Sequence, residues 1–274
     1  MRRASIPGSS ALALFAAAVV MLLSGAVRAE IVYATGFESP AFTAGQPVAG
    51  QDGWTSRFGS SAGDVSTNFP ASGQQSLQFL ATQLPVFGFG FNLETVRRFV
   101  DFDTAAAGTP GVTVSVDVRL NGPRLQDDLV EAIFSAINPN FQDYGQMQIS
   151  ADGNLYIYGS QFADSFVGAV TLNAYHRLAM RIDFSARETT FSVDGSELVT
   201  FAFDPSLQST IFRAGSLHMA APTDATLADP TLYAAYFDNL EIAAIPEPGS
   251  FVLLAGMLAA MLTPGLIRRL PARG

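Results

Sequence analysis

The chain reads as an all-β protein, an antiparallel two-sheet sandwich of jelly-roll type, and three observations carry that reading. Val112-Thr-Val-Ser-Val-Asp-Val118 alternates valine with small or polar residues, the pattern of a strand with one face in a core. Asp152-Gly153 and Asp194-Gly195 each stand between alternating runs, and that dipeptide suits a tight hairpin turn. Between Glu30 and Ala243 no segment joins a capping residue to 3.6-residue apolar spacing, so no helix competes for the core.

Taken in order, residues 31–34 form a first strand, closed by Gly36-Phe37-Glu38-Ser39-Pro40. A loop rich in Gly, Ala and Gln follows and carries Gln51-Asp52-Gly53-Trp54. Residues 65–69, 76–81 and 95–102 read as further strands, separated by loops that contain Pro70, Gly73 and Pro85. Residues 129–137 satisfy both helical and strand spacing, and their neighbours favour a strand. Residues 146–150 and 155–158 flank the first Asp-Gly turn, and residues 189–193 and 197–203 flank the second. Residues 178–184, 216–220 and 232–242 complete the set. About a dozen strands with long loops in one domain imply two packed sheets.

The two ends differ in kind from the middle. Residues 1–29 carry Arg2 and Arg3, an apolar stretch over 11–23, and Val27-Arg28-Ala29 with small residues where a signal peptidase reads. This is a secretory signal peptide, with cleavage expected between Ala29 and Glu30 by the general secretion machinery. Residues 244–274 carry Pro246-Glu247-Pro248, then an apolar run over 251–267 whose only polar side chain is Thr263, then Arg268, Arg269 and Arg273. The two prolines end the preceding fold and hold the chain extended. The run is at the lower limit of a membrane-spanning helix, and the arginines would stay on the cytoplasmic side. This order of parts resembles the PEP-CTERM sorting signal of Gram-negative bacteria. The resemblance implies recognition of Pro246, Glu247 and Pro248 by an exosortase and transient residence in the inner membrane through the C-terminal helix. It implies a final place in the cell envelope or the exopolysaccharide matrix. A simple anchor that is never cut is the alternative.

Charge and composition narrow the rest. Twenty-three of the 24 acids but nine of the 15 arginines lie between Glu30 and Ile245, so that region is near −14 against −9 for the whole chain. Such a surface repels nucleic acid and anionic lipid. There is no lysine, which excludes Schiff-base chemistry and a P-loop, and no cysteine, which excludes thiol catalysis and cysteine-bound zinc.

A second resemblance concerns the middle. Asn173-Ala-Tyr-His-Arg-Leu-Ala-Met-Arg-Ile-Asp183 and Thr190-Phe-Ser-Val-Asp-Gly195 look like consecutive strands of concanavalin A-like or laminin-G-like sandwiches. Phe237-Asp238-Asn239-Leu240-Glu241-Ile242 looks like their closing strand. The domain plan is therefore a signal peptide over 1–29, a sandwich over 30–243 and a sorting signal over 244–274. Jelly-roll carbohydrate-binding modules hold a structural calcium between an early acid and a late one. Phe37-Glu38 and Phe237-Asp238 form a similar pairing, so the resemblance implies calcium at Glu38 and Asp238.

Candidate chemistry is sparse. Gly59-Ser60-Ser61-Ala62-Gly63 matches a nucleophile elbow, but it lies in a Gly/Ser loop with no helix after it and reads as a flexible loop. Paired carboxylates for glycoside hydrolysis are missing from any one strand face, Asp101-Phe-Asp103 being the nearest, and Asp127-Asp128 would point to opposite faces. His176 opens a strand and His218 lies within one, and both read as ordinary sandwich residues. Tyr156 and Tyr158 share one strand face, with Leu155 and Ile157 on the other, and form the candidate glycan platform. Phe87-Gly-Phe-Gly-Phe91 reads as core. The expectation is an exported, non-enzymatic envelope or matrix protein with a structural or glycan-binding role, exopolysaccharide being the candidate partner. The alternative is a secreted polysaccharide-active enzyme on the same sandwich.

Overall fold

Among the described residues sixteen strands build the unit that runs from Glu30 to Ile245. The computed structural model describes residues 29–58, 63–88, 91–125, 130–160, 164–222 and 229–245. The signal peptide, the Pro246-Glu247-Pro248 triplet, the apolar run after it, Ser61 and Asp127-Asp128 lie outside these residues. No helix among the described residues is long and apolar enough to cross a membrane.

In chain order the strands are β1 (Ile31–Thr35), β2 (Trp54–Ser56), β3 (Asp64–Ser66), β4 (Ser76–Leu80), β5 (Val86–Gly88), β6 (Phe91–Asp103), β7 (Gly111–Asn121) and β8 (Glu131–Ile137). They continue with β9 (Asp143–Ser150), β10 (Asn154–Gly159), β11 (Asp164–Ala169), β12 (His176–Asp183), β13 (Glu188–Val193), β14 (Ser196–Ala202), β15 (Ile211–Pro222) and β16 (Ala234–Ala244). All pairings are antiparallel. The first sheet runs β14-β13-β12-β7-β16-β4-β3, with β1 beside β16 where β4 stops. The second runs β11-β10-β9-β8-β15-β6-β2, with β5 on β6.

The core lies between the sheets and follows from alternation. Val112, Val114, Val116 and Val118 of β7 are fully buried, as are Leu178, Met180 and Ile182 of β12. The second sheet answers with Val96, Phe134, Met147, Ile157, Leu217 and Met219. Burying each such side chain contributes about 1.5–3 kcal/mol, which is how a chain without disulfides holds this fold.

The strands missing from the sequence reading are the three-residue β2 and β5 and the six-residue β11. β2 occupies the stretch read as a loop around Trp54, and three residues are too few to show alternation. The Ala-rich stretch after Asp101 is a single helical turn, Thr104–Ala107, capped by the Asp103 carboxylate. The two Asp-Gly turns also differ. Asp194 and Gly195 have φ of 51° and 79°, as a two-residue hairpin of type I′ requires. At the other turn only Gly153 is left-handed, φ 83°, and Gly153 N–H donates to the Ser150 carbonyl, which makes a longer loop.

Gly111 starts β7 where the backbone passes the Ile182 carbonyl, and a Cβ there would lie inside that oxygen's van der Waals shell. Gly111→Ala is therefore expected to cost roughly 3 kcal/mol, read as a lower urea midpoint with unchanged slope. An unchanged midpoint would show that β7 and β12 can separate there without cost.

Candidate functional site

Alternation decides which side chains leave the second sheet on its outer face. In β15, Gly215 faces Leu240 and Val114 of the first sheet, and Leu217 and Met219 are fully buried. Ser216 and His218 therefore point outward. Val96 of β6, Phe134 of β8, Met147 of β9, and Leu155 and Ile157 of β10 do the same for their neighbours. Thr95, Arg97, Ile133, Ser135, Gln146, Gln148, Tyr156 and Tyr158 share that outer face.

The strand register arranges them in two transverse rows. One reads Arg97, Ser216, Ser135, Gln146, Tyr158, each directly opposite the next. The other reads Thr95, His218, Ile133, Gln148, Tyr156, and ends on Phe166 of β11. With strands about 4.8 Å apart, each row crosses about 19 Å from β6 to β10. This is a polar strip with an aromatic end. Phe166 is 61% exposed and meets the half-buried Tyr156 edge to face, ring centroids 6.0 Å apart.

His218 sits at the centre of the strip. Its Nδ1 is 2.9 Å from Thr95 Oγ1 and its Nε2 is 3.0 Å from Ser135 Oγ. Burial, together with the charges of Arg97 and Arg57, pushes the imidazole down to about 3, so it is neutral. Asp143 lies beyond Ser135. Burial raises its carboxyl to about 6, opposed by a hydrogen bond from Ser135 and by Arg97 and Arg57. With the Ser135 hydroxyl turned to Asp143, its oxygen accepts from His218 Nε2–H, and Nδ1 accepts from Thr95. Asp143, Ser135, His218 and Thr95 thus form one chain of hydrogen bonds.

The other end of the strip is basic. Arg57 follows β2, and its N–H donates to the Thr95 carbonyl at 2.9 Å. Arg97 and Arg213 both stack on Phe141, 5.2 and 4.9 Å from its centroid, and Arg213 also covers Phe99 at 4.8 Å. Phe141 is itself 52% exposed. Desolvation and the charges of Arg57 and Arg213 lower Arg97 from its usual value.

The acids read as a calcium pair lie on the first sheet instead. Glu38 Oε1 accepts from Gln74 N–H and Gln75 N–H, at 2.7 and 2.9 Å. Asp238 Oδ2 accepts from Ala71 and Ser72 N–H, and its Oδ1 from Asn239 N–H. Burial pushes Asp238 up to about 6 against those bonds. Both acids thus fasten the segment after Pro70 to the sheet, Asp238 at the bulge where β16 leaves β4 for β1. Two carboxylates alone supply fewer than the roughly six to eight oxygens that a calcium ion takes. No group of three or more His, Cys, Asp or Glu side chains placed for a metal occurs among the described residues.

Beside Asp238 a shallow cleft of about 600 Å³ is lined by Thr35, Gly36, Asp117, Arg177, Asn239 and Glu241. Its Asp117 and Arg177 serve one another. Arg177 donates to Asp117 Oδ1, the Asn239 carbonyl and Ser115 Oγ, and Asn239 Nδ2 donates to Asp117 Oδ2. His176 is likewise occupied, its ring nitrogens lying 2.9 Å from Asp194 Oδ2 and 3.0 Å from the Thr171 carbonyl. Ala29 and Glu30 precede β1, and the Glu30 carbonyl accepts from Ala244 N–H. The Ile245 N–H donates to the Gly111 carbonyl, so the sandwich reaches two residues beyond the expected boundary at 243.

No family model and no curated protein sequence matches the chain. Among solved structures it is similar to a conserved carbohydrate esterase of the Shiga toxin-encoding bacteriophage phi24B. Identity is 12%, with 80% of this chain and 100% of that one covered, at a TM-score of 0.52. The carbohydrate recognition domain of Emp47p gives 11%, 81%, 100% and 0.51. The fold is a concanavalin A-like jelly roll. The chain spans 17% of a sialidase that it also overlaps, at a TM-score of 0.43.

Reading the sequence strand by strand reached Tyr156 and Tyr158 but passed over Arg97, Asp143, Ser135 and His218. A signal was present: Leu217 and Met219 flank His218, so alternation already put it on the outer face. The partners across the strands were not readable, because register is set by pairing.

Because His218 stays neutral when folded but protonates near 6.5 when unfolded, it removes stability as pH falls from 6.5 towards 3. Between pH 7 and pH 5, His218→Gln is expected to keep up to about 2 kcal/mol more of its stability than the parent. Urea titrations at the two pH values check this. Identical losses in both proteins would mean that the folded imidazole takes up a proton.

Proposed function

We propose that this chain is an exported glycan-binding protein of the cell envelope or exopolysaccharide matrix, delivered through its PEP-CTERM tail, and that it is not an enzyme. One observation carries the binding reading. The outer face of the second sheet is a polar strip, interrupted by Ile133 and with Thr95, Ser135, Ser216 and Gln148 buried, that ends in Tyr156, Tyr158 and Phe166. Aromatic faces stack on the apolar faces of sugar rings, and amides and hydroxyls bond their hydroxyl groups. Two similar solved structures, a carbohydrate esterase and a carbohydrate recognition domain, support the same class of ligand. The non-catalytic reading is supported by His218, whose ring nitrogens both face protein hydroxyls rather than an approaching substrate.

The alternative, a polysaccharide-active enzyme, is favoured by Asp143, whose raised value falls near neutrality on the same face. One experiment separates the two. Polysaccharides are incubated with the parent and with the double variant Tyr156→Ala, Tyr158→Ala, and both retention and newly formed chain ends are measured. Retention that drops at least tenfold in the variant, with no new chain ends, is the expected result. Unaltered retention would remove the tyrosine platform. New chain ends that vanish in Asp143→Asn would replace binding by catalysis.

Export is tested separately by intact mass of protein from cells and from the matrix. The expected species starts at Glu30 and ends near Pro246, and Glu247→Ala leaves the tail in place. A mass that still holds residues 251–274 in the parent would make the protein a standing membrane anchor.

A further inference from the structure

The basic end of the strip does not follow from glycan contact in general. A neutral sugar chain needs no guanidinium, and the region from Glu30 to Ile245 is strongly acidic. Yet Arg57, Arg97 and Arg213 stand close enough for their charges to act on Arg97 together. Among the described residues neither Arg57 nor Arg97 makes an ion pair. Arg213 has Asp101 at 3.8 Å and gives a hydrogen bond to the Pro139 carbonyl. The charge of Asp143 also acts on Arg97, and burial raises the Asp143 carboxyl.

Two further observations point into the same spot. Ser216 is fully buried directly opposite Arg97, and its Oγ has no hydrogen-bond partner. The Nε of Arg97 is also buried and without one. Unpartnered buried donors of this kind cost stability, and an acceptor that reaches them recovers it. Beside them Phe141 offers an exposed ring. We propose that this end is a subsite for the carboxylate of an acidic sugar. Arg97, Arg57 and the Ser216 hydroxyl hold the carboxylate, and the sugar ring lies on Phe141. The planar guanidinium fork fits a carboxylate in two parallel hydrogen bonds. The bound chain then continues past Ser135 and Gln146 to Tyr158.

This inference rests on the glycan reading and adds the acidic sugar. The probes are polygalacturonate, its fully methyl-esterified form as a neutral chain of the same backbone, and dextran sulfate as an anion without carboxylates. Affinity of the full chain for each is measured at constant salt. Polygalacturonate is expected to bind at least tenfold tighter than the other two. Arg97→Gln and Arg57→Gln each lower that affinity about tenfold and leave the neutral polymer unaffected. Arg57 is exposed, so its variant tests the site even where Arg97→Gln fails to fold. Arg181→Gln, on the other sheet beside Asp183, is the charge-matched control and changes nothing. Equal binding of neutral and acidic polymers, still dependent on Tyr156 and Tyr158, would overturn the carboxylate subsite and leave the glycan reading standing. Dextran sulfate bound as tightly as polygalacturonate, or an equal loss in Arg181→Gln, would overturn the subsite in favour of bulk charge attraction. Binding of none of the polymers would overturn the subsite.

Discussion

Strand β15 is the constraint on which the second sheet depends. It pairs with β6 along one side and β8 along the other, and its inward residues Gly215, Leu217 and Met219 meet the facing sheet. Leu240 and Val114 of the facing sheet pack over Gly215 at van der Waals distance. A slip of one residue would turn Ser216 and His218 into this apolar layer and lift leucine and methionine into water. The same packing that stabilises the sandwich therefore holds a histidine between Thr95 and Ser135, and an arginine beside Ser216.

The two outer faces use their charged groups differently. On the first sheet Glu38, Asp117, Asp238, Arg177 and Asn239 bond one another or the backbone of the covering segment. Satisfied networks of this kind hold loops in place and leave little over for a ligand. On the second sheet Arg97 Nε and Ser216 Oγ are buried without partners, and Phe141 and Phe166 stand exposed. The second face is the one with recognition chemistry to spare, although the cleft belongs to the first.

Much of the fold was legible. Alternation in residues 112–118 and the Asp-Gly pair at 194–195 identified β7 and the β13–β14 hairpin, because each is a local pattern with a period or a turn of its own. The short strand β2 was not, since three residues carry no period, and neither was β11. Of the site, Tyr156 and Tyr158 were reachable as i and i+2 on one strand. Arg97, Ser135, Asp143 and His218 come from four strands, and their spacing along the chain carries no trace of their adjacency.

By itself the sequence determined the class of the fold and the character of the surface. Valine alternation and the absence of capped helices require sheets, the missing cysteines and lysines remove whole families of chemistry, and the acid excess repels nucleic acid. The order of parts at the two ends is equally a property of the chain. Which outward residues meet was decided only in the tertiary structure. Each strand knows its own inner and outer faces, but its register is the outcome of packing eight strands against an opposing sheet. A site built across those strands exists only once every register is set.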